Sequence, residues 1–451
     1  MSDAGFGRLS DAPATCLVTG ARVIDPSRDL DETADLGVRD GLIVPPRDVP
    51  ATAERIDGRG LVVAPGFCDV HVHLRDPGDP AAEHLGSGSR AAAHGGFTTI
   101  CAMPNTEPPI DDAAAVAALL ERSLEAACRV RVIGAVTAGR VGESLADLAG
   151  MAAAGAIGFS DDGAAVTGET LARDALGALA GLERPLIEHA EDPTLADVGV
   201  MRAGPVAAAL GLRGWPAEAE LAVVKRDLAL AEATGARIHL THLSTGASVA
   251  AVRAAKARGV AVTCDATPHH LALTDAWVAG DRRFAWEEAG PIGAGASRAF
   301  DGACRVNPPL TTREDALALL EAVADGTVDA IATDHAPHPA NRKLVPFDEA
   351  APGLIGLETA LSLGLAAVAA GRLTLMALVA ALSTRPARII GEERGLEAGA
   401  AADLVLFDPD ARWRVEAATL ASASSNTPLL GMELPGIVRL TVANGRVTYR
   451  G

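Results

Sequence analysis

The chain is short of aromatic side chains, which make up only 3% of its residues, with a single tyrosine. A core built without many rings has to be aliphatic, and 49% hydrophobic residues supply it. Its six cysteines (Cys16, Cys68, Cys101, Cys128, Cys264 and Cys304) form no Cys-x-x-Cys pair. That scatter excludes a thiolate metal knuckle and a disulfide framework and fits reduced thiols, so a cytoplasmic protein is expected. Positive charge is scarce: the formal net charge is −19. Nucleic acid and anionic membrane surfaces are therefore excluded as partners, and an anionic substrate would need local positive charge from an arginine or a metal. No apolar run reaches membrane-spanning length, and Met1 to Thr15 carries no apolar leader core.

What the chain does have is an apolar stretch, Leu61 to Val72, rich in β-branched residues and closed by Pro77-Gly78. It reads as a strand ending in a turn. Side chains alternate along a strand, so His71 and His73 share a face, and two imidazoles aimed at one point suit a borderline metal such as zinc. Upstream, short strands (16–18, 22–24, 37–38, 42–44, 61–63) are separated by turn signals at Asp40-Gly41 and Asp57-Gly58. The C-terminus returns to that style over 402–407, 437–442 and 446–449, with Asn444-Gly445 as a two-residue hairpin turn.

Between these ends strands and Ala/Leu-rich helices alternate. Strands are expected at Thr98–Met103, Val130–Val136, Ala156–Ser160, Pro185–His189, Arg237–His242, Val260–Cys264 and Val328–Thr333. Helices are expected at Asp111–Ala127, Ala217–Thr234, Gly246–Ala257 and Arg313–Ala324. With the His71 strand, that makes eight strand–helix steps. The fold class is α/β: a (β/α)8 TIM-type barrel over 63–394, with a small β-sandwich domain built from 1–62 and 395–451. The alternative, a doubly wound open sheet, lacks a Gly-rich phosphate loop after its first strand. Asp275 to Ala303 reads as an inserted surface loop.

Further ligand types recur at the ends of the later strands: Asp161 and Asp162, His189, His242, and Asp334. Active sites of such barrels form at those ends, so the joint placement points to a metal centre. His239 is expected to face the helix layer. His269, His270 and His335 are expected to act as hydrogen-bonding support, and His84 and His94 as solvent-facing or packing residues.

At this point the chain resembles the bacterial dihydroorotases of the long, class I type, within the amidohydrolase superfamily of cyclic-amide hydrolases. The resemblance rests on His-Val-His-Leu-Arg-Asp-Pro-Gly (71–78), Met-Pro-Asn-Thr (103–106), Phe-Ser-Asp-Asp-Gly (159–163), Arg-Val-Asn-Pro-Pro-Leu (305–310), Thr-Asp-His-Ala-Pro-His (333–338) and Ala-Pro-Gly-Leu-Ile-Gly-Leu-Glu-Thr (351–359). It covers nearly the whole chain. It implies reversible cyclisation of N-carbamoyl-L-aspartate to L-dihydroorotate in pyrimidine biosynthesis, by a hydroxide bridging two metals, with two zinc ions per chain. His71 and His73 would hold one metal, His189 and His242 the other, and Asp162 would bridge. Asp334 would bind the first metal and act as general base. Arg75, Asn105 and His338 would hold the substrate carboxylate, with Asn307 near the pyrimidine ring. Asp161 would face away. A homo-oligomer is expected, and association with aspartate transcarbamoylase is an arrangement the resemblance allows.

Many members of that superfamily bridge their metals through a carboxylated lysine. The three lysines here, Lys225, Lys256 and Lys343, all follow the His189 strand. A lysine bridge is thus unavailable at the usual position and Asp162 is the substitute, which disfavours a hydantoinase or allantoinase. The reading from another class, an inactive scaffold subunit of an aspartate transcarbamoylase assembly, would call for missing ligands, and none is missing.

Overall fold

The structure, a computed structural model, describes residues 12–288 and 298–451. The central element is an all-parallel sheet of eight strands. In chain order they are β1 (Phe67–Val72), β2 (Phe97–Ala102), β3 (Arg129–Gly134), β4 (Ala156–Phe159), β5 (Leu186–Glu188), β6 (Ile238–Leu240), β7 (Val262–Ala266) and β8 (Ala330–Ile331). Neighbours in the sheet follow that order. Closure is made just past the strands: Val72 and His335 form a parallel bridge, and the His73 amide donates to the His335 carbonyl at 2.9 Å. Helices cross between successive strands, including Gly246–Ala257, which coincides with its expected span, Ala113–Arg122, Glu218–Thr234 and Arg313–Asp325. The barrel is thereby wrapped, and the strands are buried on both faces, as a parallel sheet requires.

Both termini build a second eight-stranded sheet from Cys16–Asp25, Leu30–Arg39, Leu42–Val44, Glu54–Asp57, Val62–Pro65, Leu404–Arg414, Glu433–Ala443 and Arg446–Arg450. The expected strands at 16–18 and 22–24 are one strand, carried through a bulge between Val18 and Ala21. Asn444 and Gly445 take φ of 51° and 71°, the two left-handed residues of a type I′ hairpin.

The apolar run from Leu61 to Val72 is two strands in two different sheets, where one was expected. Val62–Pro65 pairs with Leu404–Phe407 of the terminal sheet, and Phe67–Val72 opens the barrel. The break falls at Gly66, where a Cβ would lie 2.2 Å from the Thr98 Cγ2 atom, so only glycine lets β2 pass so near.

The segment from Asp275 is not the surface loop its polarity suggests. Trp277 is fully buried, its Nε1 donates to the Arg283 carbonyl at 2.7 Å, and its ring stacks on Phe284 with centroids 6.1 Å apart. It anchors a second apolar cluster with Leu273, Cys304, Val306 and Leu310. The remainder of the expected loop, 289–297, lies outside the described residues. No described helix is long and apolar enough to cross a membrane.

Candidate active site at the carboxyl ends of the barrel strands

Each expected metal-binding side chain sits at the end of a barrel strand or within three residues past it. On β1, His71 points into the barrel mouth and His73 follows one residue past the strand, on the same side of the pleat. Their Nε2 atoms lie 3.2 Å apart. From the last strand end, Asp334 Oδ1 comes within 2.9 Å of His73 Nε2 and 3.5 Å of His71 Nε2. Across the mouth, His189 Nδ1 and His242 Nε2 approach to 2.9 Å. Asp162 stands between the two groups. Its Oδ1 is 3.4 Å from both His71 Nε2 and His242 Nε2 and 3.5 Å from His189 Nδ1, while its Oδ2 is 3.5 Å from His73 Nε2. The cluster is buried throughout.

These separations suit a divalent ion. Ligands about 2.0–2.1 Å from a tetrahedral metal stand roughly 3.3 Å from one another, and the nitrogen and oxygen atoms here fall at 2.9–3.5 Å. Two groups converge, His71–His73–Asp334 and His71–Asp162–His242, sharing His71, with Asp162 offering one oxygen to each side. Charge follows the geometry. Burial opposes ionisation of Asp162, but His71, His189 and His242 outweigh it and hold the carboxyl well below the ordinary range. Asp334 is likewise held low, against burial, by His71 and His73. Burial pulls the His73 imidazole down, whereas the carboxylates of Asp162 and Asp334 raise His71 to about 9 and those of Asp162 and Glu191 raise His189 to about 10, against burial.

A buried network holds these side chains. Thr241 Oγ1 contacts His71 Nδ1 at 2.6 Å and donates to Asp265 Oδ2 at 2.9 Å, and Asp265 Oδ1 accepts the His242 amide at 2.7 Å. His239, expected against the helices, instead sits inside this network, with Nε2 2.8 Å from Asp265 Oδ2. Its register partner Ile187 lines the barrel interior, and neighbours in a parallel sheet share a face. Asp69 Oδ2 accepts from the Thr333 hydroxyl at 2.5 Å, tying β1 to the residue before Asp334. Three site residues are held at left-handed backbone angles, Arg75 (φ 52°), His242 (φ 39°) and Asp334 (φ 47°). Such non-glycine residues cost roughly 1–3 kcal/mol each and persist where the surroundings over-determine them.

Asp161 turns away: its carboxylate accepts from the Val136 and Thr137 amides at 2.9 and 3.1 Å. Asn105 is bound to the His/Asp cluster itself. Its Oδ1 is 2.7 Å from His73 Nδ1 and its Nδ2 is 3.4 Å from Asp162 Oδ2. The half-buried Arg75 guanidinium has a long contact, 3.4 Å, from Nε to the Pro337 carbonyl. Its neighbour Asp76 is taken by Arg122 at 2.7 Å and by the Leu85 amide, and no carboxylate among the described residues pairs with Arg75. His338 donates from Nε2 to the Pro352 carbonyl at 2.8 Å, and burial together with Arg75 lowers its pKa to about 3. Since a carbonyl only accepts, the His338 Nε2 carries a proton. His270 and His335 are supporting residues, bonded to the Pro308 carbonyl and to Glu83. His84 caps the helix Leu85–His94, and His94 packs on the ring of Tyr449.

Besides Asp69 and Asp265, the carboxylate of Glu191 escaped the sequence reading. Glu191 Oε2 accepts from Asn307 Nδ2 at 2.7 Å and lies 3.1 Å from His189 Nε2. Its position two residues beyond His189, after a strand, was the available signal.

A closed parallel barrel with histidines and aspartates gathered at its strand ends defines an amidohydrolase-type protein. Comparisons agree. An L-hydantoinase (dihydropyrimidinase) from Arthrobacter aurescens superposes with a TM-score of 0.82 over 96% of both chains at 26% identity. A dihydropyrimidinase from Brevibacillus agri shares the fold, with a TM-score of 0.79 over 97% of this chain and 95% of that one at 20% identity. The dihydro-orotase-like family model matches residues 60–248. The dihydroorotase of Pelobacter propionicus is 45% identical over 442 residues, 96% of this chain and 99% of the relative. That of Geobacter metallireducens is 43% identical over 439 residues, with the same coverage of both. The chain belongs to the dihydroorotase family.

Proposed function

We propose that this protein is a dihydroorotase, interconverting N-carbamoyl-L-aspartate and L-dihydroorotate with loss or gain of water. The observation that carries the proposal is the half-buried Arg75 guanidinium, unpaired with any carboxylate among the described residues, at the rim of the His/Asp cluster. A guanidinium so placed can take a substrate carboxylate through two parallel hydrogen bonds.

His71, His73, Asp162, His189, His242 and Asp334 would hold two divalent ions, with zinc suited to this nitrogen and oxygen set. Such ions supply Lewis acidity, polarising the reacting carbonyl and acidifying water. The chain's own groups do the rest. In ring opening, Asp334 takes the proton of the attacking water as the amide C–N bond breaks, and delivers it to the leaving nitrogen. In closure, with the reacting carboxylate having taken one proton from solvent, Asp334 takes the ureido N–H proton and returns it to the departing hydroxyl, which leaves as water. With Asn307 Nδ2 committed to Glu191, its Oδ1 is left to accept a substrate N–H. His338 can donate to the substrate carboxylate only by turning its Nε2–H from Pro352.

The complete set of donors favours an active enzyme over an inactive scaffold. Assaying purified, metal-replete protein for dihydroorotate hydrolysis and carbamoyl-aspartate cyclisation tests the reading. Turnover of hydantoin or dihydrouracil in preference to dihydroorotate would overturn it.

A further inference from the structure

Lys343 is a buried lysine: its residue is 5% exposed, on the short helix Ala340–Lys343. No carboxylate among the described residues pairs with it. Its Nζ donates to three backbone carbonyls instead, Ala351 at 2.6 Å, Gly353 at 2.8 Å and Arg305 at 3.1 Å. An ammonium has three N–H donors, so this set satisfies it fully. Burial pulls its pKa down to about 7, and the three carbonyl dipoles favour the charged form.

What those carbonyls belong to gives the contact its meaning. Ala351 and Gly353 bracket Pro352, whose carbonyl accepts the His338 Nε2–H. Gly353 packs so closely that a Cβ there would lie 3.2 Å from His338 Nε2. The third carbonyl, on Arg305, is two residues before Asn307. The Gly353 amide donates to that same Arg305 carbonyl at 2.9 Å, so the two loops meet on the lysine. Asn426 closes the far side, accepting the His338 amide at 3.0 Å and donating to the Gly353 carbonyl at 3.1 Å.

We propose that Lys343 is a positioning residue for substrate binding, clamping the loop that carries Asn307 to the turn that orients His338. The proposal rests on the dihydroorotase reading of the site. Lys343 touches neither the metal-ligating set nor the reacting atoms, so its loss should appear in binding. Neutral hydrophobic replacement removes the clamp: the Ala351 carbonyl must find another donor, while the Arg305 carbonyl keeps only the Gly353 amide and the Gly353 carbonyl only Asn426.

The test compares wild-type holoenzyme with Lys343→Met and with Lys343→Ala, the last with and without ethylammonium, which fits the space vacated beside the cavity of about 680 Å³ that Lys343 lines. KM for dihydroorotate should rise about 10–100-fold, the scale of an ångström misplacement. Metal content should be unchanged and kcat should stay within a few-fold. Amide hydrogen exchange over 305–310 and 351–356 should quicken. Ethylammonium should restore part of the KM of Lys343→Ala, which separates the clamp from a general folding defect even if Lys343→Met does not fold. An unchanged KM in folded variants, or a loss confined to kcat or to metal content, overturns the proposal. If wild-type protein does not turn over dihydroorotate, the functional reading fails by itself. The clamp is then judged by exchange alone: unaltered protection in both loops refutes it.

Discussion

Asn307 Nδ2 donates to Glu191 Oε2 at 2.7 Å, and the same oxygen lies 3.1 Å from His189 Nε2. One carboxylate therefore orients both an imidazole proposed to hold metal and an amide proposed to face substrate. Orienting partners of this kind typically carry about 10–100-fold in metal affinity or activity. Glu191→Ala should weaken metal retention, read by chelator competition, and raise KM for dihydroorotate. Wild-type values for both would show that Glu191 is a bystander.

Asp334→Asn should keep the fold and lose about 10²–10⁴ in turnover in both directions, since general-base removal costs that much. Circular dichroism and metal content check the first half, steady-state rates the second. Turnover within a few-fold of wild type at full metal content would remove Asp334 as the base.

Activity should depend on metal and not on dissolved carbon dioxide. Lys225 is exposed, Lys256 is paired with Asp329 at 2.6 Å and Lys343 is held by three carbonyls, so none is available to bridge the cluster. Chelated protein should be inactive and should recover as fully with zinc in bicarbonate-free buffer as with bicarbonate. A large bicarbonate requirement would expose a carboxylated lysine and displace Asp162 as the bridge.

Arg75→Met should cut kcat/KM for dihydroorotate by about 10²–10⁴, because each hydrogen bond to a charged group contributes roughly 1.5–3 kcal/mol and two are lost. Dihydrouracil, which has the ring without the carboxylate, should be a poor substrate for wild type and little changed in the variant. Equal turnover of the two by wild type would end the carboxylate-clamp argument.

The pH profile offers a check on His338. Burial and Arg75 lower its pKa to about 3, so it stays neutral across the working range and gains its proton only in strong acid. Between pH 5 and 8, His338→Gln should lower kcat/KM without changing the shape of the profile. A wild-type limb near pH 6–7 that vanishes in the variant would mean His338 titrates during turnover.

Much of this was legible in the sequence because it is local. The pleat places His71 and His73 on one side within three residues, and it sorts Asp162 from Asp161 by the same alternation. The alternation of strand and helix announced the barrel, and the barrel told which strand ends to read. What the tertiary structure decided are contacts between residues far apart in the chain. Gly66 splits one apolar run between two sheets because Thr98 passes against it. His239 turns inward because Asp265 waits on the next strand, and Asn105 is taken by His73. Trp277 disappears into a core that its polar neighbours conceal. Lys343 finds three carbonyls from two loops, which no spacing reveals. Periodicity is written along the chain and sets which way a side chain points. Which partner it meets is settled only when the barrel closes, since burial drives most polar groups to find a match among whatever closure brings near.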